Sequence, residues 1–245
     1  MNSKKTVLVT GSSRGIGKAI AQKFASENFN IVINCKNSID KLKELELELS
    51  KTNQNILAYQ CDVSDYDKTK EMFAEIEKKF GGVDILVNNA GISYIGLFNE
   101  MSPDDWNTIV NTNLKSVYNC THLALPYMIH NKNGSVINIS SVWGNVGASC
   151  EVIYSSTKGA INSFTKALAK ELGPSNIRIN AIACGAIETE MNAFLTEDEK
   201  QALVDEISMM RFGKPEEVAD IAFYISSEKA NYLTGQIISL DGAWI

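Results

Sequence analysis

The chain has 245 residues, with 23 Lys plus Arg against 29 Asp plus Glu, a formal net charge of −6, and 44% hydrophobic and 21% charged residues. A chain this long buries roughly 70–75% of the surface its unfolded form exposes, so it folds without disulfides or a structural metal. Its composition excludes a disordered protein, and its acidity excludes a surface built throughout for nucleic acid. The five cysteines, Cys35, Cys61, Cys120, Cys150 and Cys184, are odd in number and form no C-x-x-C pair. They fit reduced thiols in a cytoplasm and no metal site. The apolar run Val7-Leu8-Val9 is too short for a signal-peptide core, and no stretch reads as a membrane span, so no membrane partner is expected.

The β-branched run TVLVT predicts a first strand over 6–10, followed by a helix over 15–27. A strand over 31–35, a helix over 39–52, a strand over 56–61 and a helix over 65–80 come next, the last stopped by Gly81-Gly82. Then follow a strand over 84–88, one long helix over 104–130, a strand over 135–140 and a helix over 155–172 stopped by Gly173-Pro174. Strands over 177–184 and 236–240 flank a helix over 216–226. Strands this apolar, without clean alternation, are buried on both faces, as in a parallel sheet covered by helices. The fold class expected is α/β, a doubly wound seven-stranded parallel sheet with helices on both faces. No repeat or linker interrupts 1–245, so a single domain is expected.

The first strand runs into Thr10-Gly11-Ser12-Ser13-Arg14-Gly15-Ile16-Gly17, at the start of a helix. Glycines there permit a tight turn and close backbone approach, and a helix N-terminus offers free N–H groups to a pyrophosphate. The spacing is T-G-x-x-x-G-x-G. Further along the chain stand Asn88-Asn89-Ala90-Gly91 after the fourth strand, Asn113 in the long helix, Ser141 after the fifth strand, and Tyr154-Ser-Ser-Thr-Lys158. Together these resemble the short-chain dehydrogenase/reductase family over essentially the whole chain, most closely its classical branch of bacterial 3-oxoacyl-acyl carrier protein reductases.

The resemblance implies a Rossmann-type, NADP(H)-binding domain and a catalytic tetrad of Asn113, Ser141, Tyr154 and Lys158. In such a tetrad the tyrosine donates the proton, the serine bonds the substrate carbonyl, the lysine holds the nicotinamide ribose and the asparagine anchors a water. The chemistry of the residues agrees. A ketone accepting a hydride needs a proton donor for its developing alkoxide. Lys158 stands four residues after Tyr154 on one helix face, where its ammonium is expected to lower the phenol's pKa. Taken singly, Tyr and Lys at this spacing are an ordinary surface pair, a Ser ending a strand caps a turn, and a helix Asn bonds backbone. His122 and His130 sit near no nucleophile motif, so a hydrolase triad has no support.

By the same resemblance the cofactor is held by Gly11, Ser13, Arg14, Gly15, Ile16, Gly17, Asn89, Gly91, Tyr154, Lys158, Ile187 and Thr189, with Asp62 at the adenine edge. Asp62 also reads as a plain helix-entry carboxylate. NADP(H) is expected over NAD(H). Ile31 to Ile39 carries no ribose-binding acid, while Arg14 and Lys36 offer charge to a 2′-phosphate or stand as solvated surface cations. The substrate implied is a 3-oxoacyl thioester on acyl carrier protein, in fatty acid synthesis, with Lys132 as a basic residue at the active-site mouth and a homotetramer as the assembly. Two features depart from that branch. Cys184 replaces a usual proline, and the Gly-Ala-Ser-Cys-Glu151 stretch resembles a branch that reduces a ketone on a modified lysine of elongation factor P. Three alternatives stay open: that second ketone, where Glu151 would pair with an ammonium, another small ketone, and a non-catalytic NADP-binding sensor or scaffold.

Overall fold

The protein is represented by a computed structural model that describes residues 4–193 and 195–245. Among the described residues, seven strands form one parallel sheet in the order β3-β2-β1-β4-β5-β6-β7. They are β1 (Thr6–Val9), β2 (Asn30–Cys35), β3 (Ile56–Gln60), β4 (Ile85–Asn88), β5 (Gly134–Ser141), β6 (Ile177–Cys184) and β7 (Ile237–Leu240). The chain winds outward from β1 to β3, then crosses back to β4 on the other side of β1. Two crossovers therefore diverge at the carboxyl ends of β1 and β4, and the gap between them is where such sheets bind ligands.

The sheet is buried from both sides because its side chains alternate between two apolar layers. Val7, Val9, Ile31 and Ile33 pack with Ile20, Phe24, Leu42 and Val218 from helices α1 (Gly15–Ser26), α2 (Ile39–Leu49) and α9 (Pro215–Ser226). Leu8, Val32, Leu86 and Val136 face the other way, onto Met72, Ile76, Cys120 and Leu172. Those four belong to α3 (Tyr66–Phe80), α5 (Ser116–Asn131) and α7 (Val152–Leu172).

The long helix expected over 104–130 is not continuous. It is α4 (Pro103–Val110), a five-residue π-helical turn over Asn111–Lys115, and α5. A π turn inserts one residue into the helical ladder, which rotates the side chains within it and recurs at functional sites. The helix expected from 155 begins three residues earlier, at Val152. The short α6 (Trp143–Val146) and α8 (Glu197–Glu206) were not expected at all. Polar on nearly every side, α8 lacks an apolar stripe, and its signal is the Thr196 to Glu199 capping box at its start.

Candidate active site

The glycine turn is a joint between β1 and the strand beside it. Thr10 Oγ1 accepts from the Asn89 and Ala90 N–H groups, each at 3.0 Å, while Asn89 Nδ2 donates back to the Thr10 and Gly11 carbonyls at 2.9 and 3.0 Å. A Cβ on Gly17 would lie 2.4 Å from Asn89 Nδ2, so no side chain fits there. Gly11 has φ of 62°, left-handed backbone that glycine adopts without strain. Helix α1 starts on this turn with no side-chain cap at Arg14, whereas Asp65 caps α3, Ser102 caps α4 and Thr196 caps α8. An open N-terminus above a cradle of glycines is the shape that fits the pyrophosphate of a dinucleotide.

The catalytic side chains expected from sequence meet at the carboxyl end of β5. Ser141 ends that strand, and its Oγ accepts from the Trp143 N–H at 3.2 Å. Tyr154 and Lys158 lie one helical turn apart on α7, with Lys158 Nζ 5.5 Å from the centre of the Tyr154 ring. Nζ donates to the Ile139 carbonyl at 2.8 Å. Asn113, only 1% exposed, sits in the π turn and grips the backbone of Ile92 from both sides, accepting from its N–H at 2.8 Å and donating to its carbonyl at 2.9 Å. A further bond from Asn113 Nδ2 reaches Thr157 Oγ1 on α7 at 3.3 Å, so the asparagine ties the segment after β4 to the helix of Tyr154 and Lys158.

Burial dominates the electrostatics. It raises the Tyr154 phenol above its ordinary value, against the Ser141 hydroxyl, and the Glu151 carboxylate and Cys184 push the same way as burial. It lowers Lys158 from 10.5 to about 8, against the influence of Cys184. The expected lowering of the phenol by Lys158 is therefore not found. The ammonium donates to the Ile139 carbonyl, and loss of water is the largest influence on the phenol.

A cavity of about 790 Å³ opens here, and Ser141, Tyr154, Lys158, Ile16, Asn89, Gly91, Ile187 and Thr189 all line it. Arg14, Lys36 and Asp62 lie outside it, and each is already paired. Lys36 meets Asp62 at 2.7 Å, and Arg14 meets Glu190 at 3.0 Å. Burial pulls Asp62 up, but Lys36 and the Ser64 hydroxyl and N–H more than reverse it, leaving its carboxyl below the ordinary value. Glu190 also takes Lys41 at 2.7 Å. Sequence reasoning missed Lys41 and Glu190, since a lysine on α2 and a glutamate after β6 carry no local signal of meeting. It also missed Asn34, whose buried amide donates to the Tyr59 and Cys61 carbonyls at 3.1 Å each and so ties β2 to β3 below Lys36.

The cavity's outer wall holds Glu151, whose carboxylate accepts from the Ser93 hydroxyl, and the rings of Trp143 and Trp244, which meet edge to face at 4.9 Å. Trp244 is anchored by Glu206 of α8, an acceptor for its indole N–H at 3.1 Å. Cys184 lines the inner wall, with its thiol pushed up to about 12 by burial. That suits an inert group. Lys132 is not at the mouth: it caps α5, and its carbonyl accepts from Asn176 at the start of β6. The residue thus precedes β5, at the end opposite Ser141, and eight residues of strand span about 23 Å.

A short chain dehydrogenase profile matches residues 5–200. The chain is 40% identical, over 98% of both chains, to a 3-oxoacyl-[acyl-carrier-protein] reductase FabG of Thermotoga maritima. It is 41% identical, again over 98% of both, to an uncharacterized oxidoreductase YmfI of Bacillus subtilis. A crystal structure of a 3-oxoacyl-[acyl-carrier protein] reductase from Brucella melitensis superposes with a TM-score of 0.92 at 36% identity, covering 99% of this chain and 92% of that one.

Proposed function

The chain belongs to the short-chain dehydrogenase family and is an oxidoreductase acting on CH–OH or C=O groups; from that premise we propose that it is an NADPH-dependent reductase of 3-oxoacyl thioesters carried on acyl carrier protein. The observation that carries this reading is the convergence of Ser141 and Tyr154 on one cavity whose lining includes Ile139, Val142, Ile187 and Leu203, room for a ketone and its apolar chain. The name of the Thermotoga relative supports the substrate.

The family implies NAD(P)(H), which supplies a hydride when bound. Gly11, Ser13, Gly15, Ile16 and Gly17 would hold its phosphates, Asn89, Gly91, Ile187 and Thr189 its nicotinamide half, Asp62 its adenine, and Arg14 and Lys36 its 2′-phosphate. Tyr154 donates its proton to the carbonyl oxygen as that oxygen gains charge. A phenol raised by burial stays protonated at neutral pH, so the proton is in place, and the charge that gathers on the carbonyl oxygen is what draws it off. Ser141 gives the same oxygen a hydroxyl hydrogen bond. Lys158 holds positive charge under the ring and offers N–H donors to the ribose hydroxyls. Asn113 fixes the separation of these groups by joining Ile92 to Thr157, and through Ile92 keeps the segment after Gly91 in place. Exposed apolar side chains on α4, α5 and α7, namely Val110, Tyr118 and Val152, suit burial against further copies of the chain, as a tetramer requires.

One observation favours a second substrate. Glu151 faces the cavity, where a carboxylate has nothing to offer an acyl chain but pairs readily with an ammonium. The two readings separate in a single assay of NADPH oxidation. Acetoacetyl thioesters should be turned over, and Glu151→Gln should leave that rate unchanged. If the wild type ignores thioesters but reduces an amino-ketone, and Glu151→Gln loses that activity selectively, the thioester reading is wrong.

A further inference from the structure

Three cations lie at the proposed adenosine end of the groove in two ion-pair sets: Arg14 on the glycine turn and Lys41 on α2 share Glu190, and Lys36 after β2 pairs with Asp62, so one positive charge is left over. The carboxylates are held differently. Asp62 is pinned in its own turn, accepting from the Ser64 N–H at 3.0 Å and the Ser64 hydroxyl at 2.7 Å. Among the described residues Glu190 has no such support. It makes its contacts through Arg14 and Lys41, at side-chain exposures of 58% and 46%, and is itself 51% exposed. Glu190 opens the single 3-10 turn Glu190–Asn192, and its next neighbours Met191 and Asn192 line the substrate cavity. Just before it, Thr189 lies against the glycine turn, 3.4 Å from where a Gly15 Cβ would be.

We infer that Glu190 is an internal rival of the cofactor's 2′-phosphate, holding Arg14 and Lys41 in place and surrendering them when the phosphate arrives. This rests on the NADPH reading. Exposed ion pairs are weak and exchange readily, whereas a phosphate brings up to two charges and three acceptor oxygens to the same donors. The phosphate therefore wins, and the released Glu190 is joined directly to the wall of the substrate cavity. Lys41 becomes a third cation of the phosphate site, and cofactor choice is coupled to the segment that meets the substrate. Both cations keep their orientation meanwhile, because the carboxylate stands where the phosphate will.

Adenosine 2′,5′-bisphosphate and adenosine 5′-monophosphate differ only in the 2′-phosphate and serve as probes of the full-length protein by calorimetric titration. Glu190→Gln should tighten the bisphosphate about two- to fivefold, the range of exposed ion pairs, and leave the monophosphate unchanged. Lys41→Gln should weaken the bisphosphate alone. Glu188→Gln removes the same charge from the same segment without touching these cations, and should shift neither probe by more than about twofold. Hydrogen exchange supplies a second readout. The bisphosphate, but not the monophosphate, should speed exchange at the Asn192 and Ala193 amides, which close the turn on Thr189 and Glu190, and Glu190→Gln should abolish that difference. An unchanged bisphosphate affinity in Glu190→Gln, or equal tightening by Glu188→Gln, overturns the rivalry while leaving NADPH preference intact. If the wild type binds both probes equally, the cofactor reading and the rivalry fail together.

Discussion

The two ends of the binding groove are built on opposite principles. At the Tyr154 end Asn113, Ser141 and Lys158 are buried, and each has a bond to a backbone carbonyl or N–H group, with Asn113 also bonded to Thr157. At the other end Arg14, Lys36 and Lys41 are half-exposed and bonded to two carboxylates, Asp62, which Ser64 also holds, and the half-exposed Glu190. Burial makes geometry and protonation state properties of the fold, as a transition state requires. Exposure makes partners exchangeable, as a cofactor that comes and goes requires. Under the proposed function the chain thus buries the groups of its chemistry and leaves those of recognition exposed.

That contrast is broken most severely by Tyr154→Phe. The ring and its packing remain while the proton donor goes, so turnover should fall about 10²- to 10⁴-fold, with NADPH affinity by fluorescence titration nearly unchanged. A rate within about threefold of wild type would remove Tyr154 from the mechanism.

Lys158→Met tests what burial costs. Turnover should collapse and NADPH binding weaken, yet the protein should become more stable at pH 7. A shift from 10.5 to about 8 corresponds to about 3 kcal/mol of burial cost, partly offset by the Ile139 carbonyl left without its donor, so the gain expected is about 1–2 kcal/mol. The sign fixes the pH dependence. Below pH 8 folded and unfolded chains both hold the proton and the cost is full. Between about 8 and 10.5 the unfolded chain binds more protons, so wild-type stability rises and the advantage of methionine narrows. Denaturant titrations at pH 7 and 9.5 measure both, and a destabilised variant at pH 7 would mean that the Ile139 bond outweighs desolvation.

The smallest effect belongs to the exposed end. Arg14→Ala with Lys36→Ala should raise the NADPH Michaelis constant about tenfold, well short of what buried phosphate contacts provide, and leave NADH nearly unaffected. A wild type that prefers NADH from the outset contradicts the assignment.

The contrast also marks what the sequence made legible. The seven strands and their parallel pairing follow from apolar runs buried on both faces. Ser141, Tyr154 and Lys158 share a cavity because one strand end and one helical turn bring them there, both visible in spacing. Asn113 was legible as a position but not as a device, because the π turn that orients it is a departure from regular helix that periodicity averages away. Lys41 and Glu190 were invisible, being 149 residues apart and joined only by the fold. Lys132 was misplaced because a residue before a strand and one after it look alike until strand direction assigns them to opposite ends.

The Trp143 and Trp244 pair gives the molecule an optical property as well as a wall. Of three tryptophans, two meet at the cavity, while Trp106 stacks on Phe98, its ring centre 5.7 Å away, and does not line that space. A ligand entering between Ser141 and the outer wall changes the surroundings of two indoles at once, and a reduced nicotinamide, bound as proposed, would absorb where they emit. Filling of that cavity is thus written into the protein's own emission and is readable in real time without a label.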